Sequence, residues 1–331
     1  MRKFLMILFL ITVIGVLAAC SSSEEDSASA DGSLTLKFAH GAAEDNPRHL
    51  GALKFKELVE EKSEGKIKVE VFGNEVLGTE SQMVENLEMN DLDIVASSTF
   101  TQYEPKINLF GLPFLFESSE KAWEVLDGEL GQEIYGSLID KNIRIIGHFE
   151  NGMRHVTSNK ELVEKPEDLK GLSIRTPEIQ ILIDIFNQVG ANPTPMAFGE
   201  LYMALQQGTV DAQENPITNI YASKFYEVQD YLSLTGHSYS STDIAISDQL
   251  WSSLTEEQQS LIQECMDEAV AYQRELVRTQ EEEFLKEMES NGMQIKEPSK
   301  DEMREATKGV YEKYSNEYGE ELVNRLMEAA Q

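Results

Sequence analysis

Between Leu34 and Ala96 the apolar pattern alternates between two periods, and this alternation limits the folds open to the chain more than any other feature. Leu34–His40 (LTLKFAH) alternates and ends in polar residues, as a half-buried strand does. A loop, Gly41 to Asn46, leads to Pro47. From there Leu50, Leu53, Phe55, Leu58 and Val59 follow a helical period to about Lys62. Ile67–Phe72 (IKVEVF) alternates again, and Gly78 closes a turn. Thr79 to Asn90 reads as a helix capped by Thr79 or Ser81. Asp93–Ala96 is a third short strand, followed by Ser97-Ser98-Thr99. Strand, helix, strand, helix and strand with brief connections require a parallel sheet, whose ligands sit beyond the C-terminal strand ends.

Downstream, Leu109–Phe116 is apolar around Pro113 and reads as a buried loop, Lys121–Lys141 as a helix and Ile143–Gly147 as a strand with a polar exit through Arg154. A strand around Ile174 precedes a helix from Glu178 to Val189, and Pro193 and Pro195 flank an extended link. Phe198–Gln207 is a helix stopped by Gly208, and Val210–Gln213 a short strand. Tyr221–Tyr231 is amphipathic, Asp243–Ser247 reads as a strand, and Lys300–Ala330 as helical. Thr255 to Glu289 is one long helical run with an apolar side, better suited to spanning two lobes than to one compact core. The expected fold class is α/β with two lobes. Lobe I takes residues 33–151 plus about 241–280, and lobe II 152–240 plus about 281–331.

The first twenty residues read as a targeting segment. Arg2 and Lys3 precede an apolar run, Phe4–Leu17, that is short for a membrane span, and Leu17-Ala18-Ala19-Cys20 resembles the bacterial lipobox. Residues 1–20 are therefore expected to be a lipoprotein signal peptide with Cys20 lipidated, and 21–32 (SSSEEDSASADG) a flexible tether on the outer face of the cell membrane. Cys20 and Cys265 are the only cysteines, so no disulfide framework and no cysteine metal site is expected. A formal net charge of −31 argues against a nucleic-acid partner. No G-x-S-x-G, H-E-x-x-H or Gly-rich phosphate loop occurs, and five histidines lack ligand spacing. Neither an enzyme, a metal nor a cofactor is expected.

Gly171 to Pro216 holds one arginine, Arg175, at the end of a short apolar strand and directly before Thr176-Pro177. A guanidinium there suits a fork-shaped contact with a carboxylate, although an ion pair within the protein would use the same position. The pattern G-x-x-I-R-T-P followed by N-P-T-P-M-A-F-x-E-x-Y-x-A-L-Q-x-G-x-V-D-x-Q-E-N-P resembles the solute-binding proteins of tripartite ATP-independent periplasmic (TRAP) transporters, of the DctP type in lipoprotein form. So do Gly65–Val69, Val76–Gly78, Leu112–Phe114, Pro166–Gly171 and Leu234–His237, and the resemblance covers essentially the whole mature chain. It departs at Ala212, where the family usually has Gly, and at Gly152-Met153-Arg154, where it usually has Gly-Phe-Arg.

The resemblance implies a periplasmic-binding-protein-like fold closing on one small organic acid and delivering it to the membrane subunits of a sodium-coupled permease, as a monomer. Arg175 matches the arginine that grips the substrate carboxylate, Arg154 a second arginine near the lobe crossover, and Asn215 the asparagine of Q-E-N-P. Phe198 matches a segment lining the cleft. In the first lobe, His40, Asn46, Glu80 and Ser98 stand at strand-end loops as candidates for hydroxyl recognition, with a helix cap or solvated loop the alternative for each. Glu200 is expected to hold an arginine or backbone group, and His237 to be a structural hydrogen-bonder. The loops favour a sugar acid, a uronate or aldonate, over a C4-dicarboxylate. A ligand-sensing surface lipoprotein or a carbohydrate-active enzyme are the rival classes.

Overall fold

The computed structural model describes residues 34–331, so the expected signal peptide, the lipidation of Cys20 and the tether lie outside the described residues. Eleven strands are present: β1 (Leu34–His40), β2 (Ile67–Phe72), β3 (Ile94–Ser97), β4 (Ile143–Met153), β5 (His155–Ser158), β6 (Ser173–Thr176), β7 (Asn192–Pro195), β8 (Ala212–Asn215), β9 (Tyr231–Ser233), β10 (Tyr239–Ser247) and β11 (Gln294–Lys296). They form two sheets, one ordered β2-β1-β3-β10-β4 and the other β11-β9-β5-β8-β6-β7. As the alternation requires, β1 pairs in parallel with β2 and β3, while β10 runs antiparallel to β3 and β4.

Local chemistry sets the element ends. Asn46 caps the helix Pro47–Lys62, its Oδ1 accepting from the Arg48 amide at 2.8 Å, with Pro47 in the first turn where no amide is needed. Thr79, not Ser81, caps Glu80–Glu88, in a reciprocal capping box with Gln82. The expected helix Lys121–Lys141 divides into Ser119–Asp127, Glu129–Tyr135 and a 3-10 turn, broken at Gly128. Lys300–Ala330 divides at Thr307 and at Gly319, whose φ of 95° a helix cannot continue.

The chain crosses between the sheets at Arg154, between β4 and β5, and again through Leu234–Ser238, between β9 and β10. The crossings lie side by side: the Arg154 amide donates to Ser238 O at 2.8 Å, and the His237 amide to Arg154 O at 3.3 Å. The long helix Glu256–Ser290 makes a third connection. Its 35 residues, about 52 Å of helix, place Ile262 and Met266 in the core under the first sheet and Phe284 and Met288 in that of the second. Among residues 281–331, grouped by sequence with lobe II, Phe284, Met288 and Met293 pack in the second sheet's core, whereas Val310, Tyr314, Val323 and Leu326 share a cluster with Leu126 and Ile134 beneath the first sheet.

β4 extends six residues beyond the expected strand Ile143–Gly147, to Met153. Its polar second half is buried and paired with β10 rather than solvated. The register slips there, Glu150 facing Ser241 and Gly152 facing Ser240, so Asn151 is the extra residue of a bulge. Gln273 of the long helix takes up both backbone groups of Glu150, at 2.8 Å each, and so ties helix to bulge.

Beside this crossing lie two carboxyls. Glu150 accepts from Ser119, Trp123 and Tyr239, whereas Glu281 faces no cation at ion-pair distance among the described residues. Burial first, and then Glu150, push the Glu281 carboxyl from 4.5 up to about 7. Because the folded-state value is the raised one, stability is lost as pH rises from about 4.5 through about 7. Glu281→Gln is expected to raise unfolding stability at pH 8 by up to about 3 kcal/mol, with no gain at pH 4, as read by urea denaturation at the two pH values.

Candidate ligand-binding cleft

A cleft enclosing a cavity of about 50 Å³ lies between the two sheets, at the C-terminal ends of β3, β6 and β8. Arg175 reaches it from β6, where its neighbours are Thr194 of β7 and Gln213 of β8. The residue is 2% exposed. Nε and Nη2 donate to the Met196 carbonyl at 3.0 and 2.5 Å, and the guanidinium lies 5.8 Å from the centre of the Phe198 ring. Among the described residues no carboxylate stands within ion-pair distance of it. Burial draws its pKa down to about 10, with Arg154 adding to the effect and Glu214, Glu80 and Glu75 opposing it. The group stays cationic at neutral pH, buried and without a counter-ion, and such a charge is costly unless an anion completes it.

Arg154 also lines the cavity, but its charge is already matched. Its Nε pairs with Glu214, Nη2 donates to Glu214 Oε1 at 2.8 Å, and Nη1 to Ser240 Oγ at 3.0 Å. His237 adds a contact of 3.3 Å to the same carboxylate. Burial pushes Glu214 up, but Arg154 and His237 outweigh it and leave the carboxyl below its usual range. Burial likewise holds His237 low, in keeping with a structural role. Glu200, expected to hold an arginine or backbone group, is exposed and takes part in no ion pair. Glu214 does that work instead, from within β8, which continues past the expected end at Gln213 to Asn215.

The amides form a connected set. Asn215 donates to Gln213 at 2.6 Å and accepts from Asn219 at 3.2 Å, and Asn219 also donates to Asn151 at 3.1 Å. Asn46 does not line the cavity; it donates to Asn219 at 2.9 Å and so positions a residue that does. His40 is likewise off the cavity. One ring nitrogen accepts from the Ala42 amide, the other lies 3.0 Å from His49, and burial with Arg48 and His49 holds it well below its usual pKa. Glu80 and Ser98 do line the cavity: Glu80 accepts from Ser97 Oγ at 3.1 Å and the Ser98 amide at 3.0 Å, and pairs with Arg48 at 2.6 Å.

Several lining residues were not singled out by sequence, among them Arg48, Glu75, Asn151, Glu178 and Asn219. Arg48 sits in the first turn after Asn46-Pro47, where a buried cation and a solvated one look alike. Asn151 is turned inward by the bulge, which single-strand periodicity does not signal. The arrangement offers one unmatched cation surrounded by fixed hydrogen-bonding groups. Among the described residues it contains no cluster suited to a metal.

Two lobes around such a cleft define a solute-binding protein. Residues 38–317 match the model of the bacterial extracellular solute-binding proteins, family 7 (DctP). The chain belongs to this family, and is a solute-binding protein of a TRAP transporter. It is 35% identical over 263 residues to the 2,3-diketo-L-gulonate-binding periplasmic protein YiaO of Escherichia coli K12, covering 79% of this chain and 80% of that one. An uncharacterized protein of Sinorhizobium fredii is 44% identical over 215 residues, 64% of this chain and 40% of that longer protein. Among solved structures, a TRAP solute-binding protein of Polaromonas sp. JS666 bound to D-erythronate has 33% identity and a TM-score of 0.86, covering 89% of this chain and 98% of that one. One from Shewanella oneidensis with bound succinate has 31% identity and a TM-score of 0.87, covering 90% and 100%.

The two arginines should respond oppositely to truncation. Arg154→Met leaves the buried Glu214 without its guanidinium, with only His237 beside it, and is expected to cost about 3–5 kcal/mol of stability. Arg175→Met removes an uncompensated charge, so ligand-free stability should change by less than about 1 kcal/mol while carboxylate binding is lost. Urea denaturation of both variants without ligand checks this, and equal destabilisation would make Arg175 structural.

Proposed function

We propose that this TRAP solute-binding protein captures a hydroxylated organic acid, such as a uronate or aldonate, with the ligand carboxylate on Arg175. The observation that carries this reading is the buried guanidinium with two nitrogens on the Met196 carbonyl, Nη1 free of such a contact, and no protein counter-ion among the described residues. A guanidinium so placed offers a carboxylate a charge-assisted contact worth about 1.5–3 kcal/mol. Arg154, Asn215, Phe198, Glu80 and Ser98 shape the cavity around it, and Asn46 and His40 support those groups from behind. The names of the relatives support the class: diketogulonate for YiaO and D-erythronate in the Polaromonas structure. The succinate in the Shewanella structure favours a second reading, a C4-dicarboxylate.

In this proposal residues 33–151 with about 241–280, and 152–240 with about 281–331, act as the two lobes, closing about the paired crossings at Arg154 and Ser238. The protein works as a monomer and hands its ligand to a sodium-coupled permease. Lipidation at Cys20 holds it at the outer face of the membrane; no described helix is long and apolar enough to span one.

Purified protein is expected to melt higher with one class of organic acid in a panel of uronates, aldonates, sialic acid and C4-dicarboxylates. At a hundredfold excess over Kd the stabilisation is about 2.7 kcal/mol, a rise on the order of 5 °C or more. No shift with any member would sink the reading. In calorimetry Arg175→Lys should bind at least about tenfold more weakly, since an ammonium cannot make the two-pronged contact.

A further inference from the structure

The charges that face the cleft do not balance as a site for two carboxylates would need. Arg48 is matched by Glu80 and Arg154 by Glu214, which leaves Arg175 as the cation without a partner. Two further carboxylates, Glu75 and Glu178, also line the cavity, and Glu178 accepts from Ser81 at 3.2 Å. Glu75 differs from the others. Its Oε2 accepts from the Gly199 amide across the cleft at 2.9 Å, whereas its Oε1 is buried and has no hydrogen-bond partner. Buried orphan oxygens of this kind are uncommon, and one on a ligand cavity has a direct use.

The chain goes to some expense to hold Glu75 there. Asn74 and Glu75 both have φ of 54°, the left-handed region that non-glycine residues seldom adopt. This turn is fastened to the end of β1, Asn74 N donating to Ala42 O at 2.9 Å and Glu75 N to His40 O at 3.4 Å. Opposite, Gly199 leaves the room required: a Cβ there would come within 2.5 Å of Glu75 Oε2. The surroundings already disfavour negative charge, since burial first and then the Glu80 carboxylate push the Glu75 carboxyl up, against the Gly199 and Glu80 amides and the field of Arg175.

Resting on the carboxylate reading above, we propose that Glu75 is the specificity-determining residue of the cleft. Its free Oε1 accepts a hydrogen bond from a hydroxyl of the ligand whose carboxylate Arg175 holds, and its charge rejects a second carboxylate. The ligand class is then a hydroxylated monocarboxylate. A C4-dicarboxylate would place its far carboxylate in a cavity that has no cation left to receive it and an unsatisfied carboxylate oxygen facing it. A ligand lacking the hydroxyl would leave Oε1 unpaired, which is the stronger form of discrimination.

The experiment is calorimetry at pH 7.5 on the wild type and on Glu75→Gln, with erythronate and galactonate as hydroxylated monocarboxylates, butyrate as the hydroxyl-free acid, succinate as the dicarboxylate, and erythritol as the carboxyl-free polyol. The wild type is expected to bind at least one aldonate at least tenfold more tightly than succinate and butyrate, and to ignore erythritol. In Glu75→Gln the ratio of succinate to aldonate affinity should rise by about tenfold or more. Binding of no acid, or erythritol binding as well as an aldonate, would overturn the carboxylate reading itself. Wild-type succinate binding as tight as any aldonate would overturn the role of Glu75 and leave the carboxylate reading standing. So would an unchanged ratio in a folded Glu75→Gln. The wild-type comparison decides the matter even if the variant does not fold.

Discussion

The site depends on the ion pair between Arg154 and Glu214. It sits where the chain first crosses from one sheet to the other, and it does two things at once. It neutralises a cation that the crossing places in the cavity, and it anchors β8 against the crossing through the side chain and carbonyl of Glu214. With Arg154 spent in this way and Arg48 spent on Glu80, Arg175 is left as the one lining arginine in the described residues without a carboxylate partner. In the function proposed above, a ligand carboxylate supplies what the protein withholds. Binding energy then comes from completing a charge the fold has already desolvated, a form of pre-organisation.

Arg175 is braced by the Met196 carbonyl and the Phe198 ring, both from the segment after β7, so the loop that closes the cavity also orients its cation. On the facing side the bulge at Asn151 and the helix cap at Asn46 meet in Asn219, which links lobe I to lobe II through amides alone. Amides can both donate and accept, so Asn219 serves Asn46, Asn151 and Asn215 at once. The long helix adds apolar anchorage in both cores and, at Gln273, hydrogen bonds to the bulge itself.

Much of this was legible in the chain. Three strands and two helices between Leu34 and Ser97 follow from period alone, and the long helix from its apolar side and its Thr255 cap. Arg175 was legible as a candidate: its strand-end position before Thr-Pro left a ligand carboxylate and an internal ion pair both open, and the family resemblance favoured the first. The first-lobe residues were legible only in part: Glu80 and Ser98 do line the cavity. His40 and Asn46 were reasonable candidates by position, yet His40 lies inside the sheet's own packing and Asn46 serves a helix cap and Asn219. Polar residues at strand ends look alike in one dimension whether they face a ligand or a neighbour.

What the sequence determined by itself is what short range decides: periodicity, caps, turn residues, and the excess of acid over base that makes each buried arginine notable. Tertiary structure alone decided which arginine is free. Arg154 and Glu214 are 60 residues apart and Arg48 and Glu80 are 32 apart, so their pairing depends on how separate strands and helices are brought together. The same holds for Glu75, held by a left-handed turn beside β1 and facing Gly199, 124 residues away in the chain. Charge balance in a cleft is a property of distances in space, and neither composition nor spacing along the chain contains them.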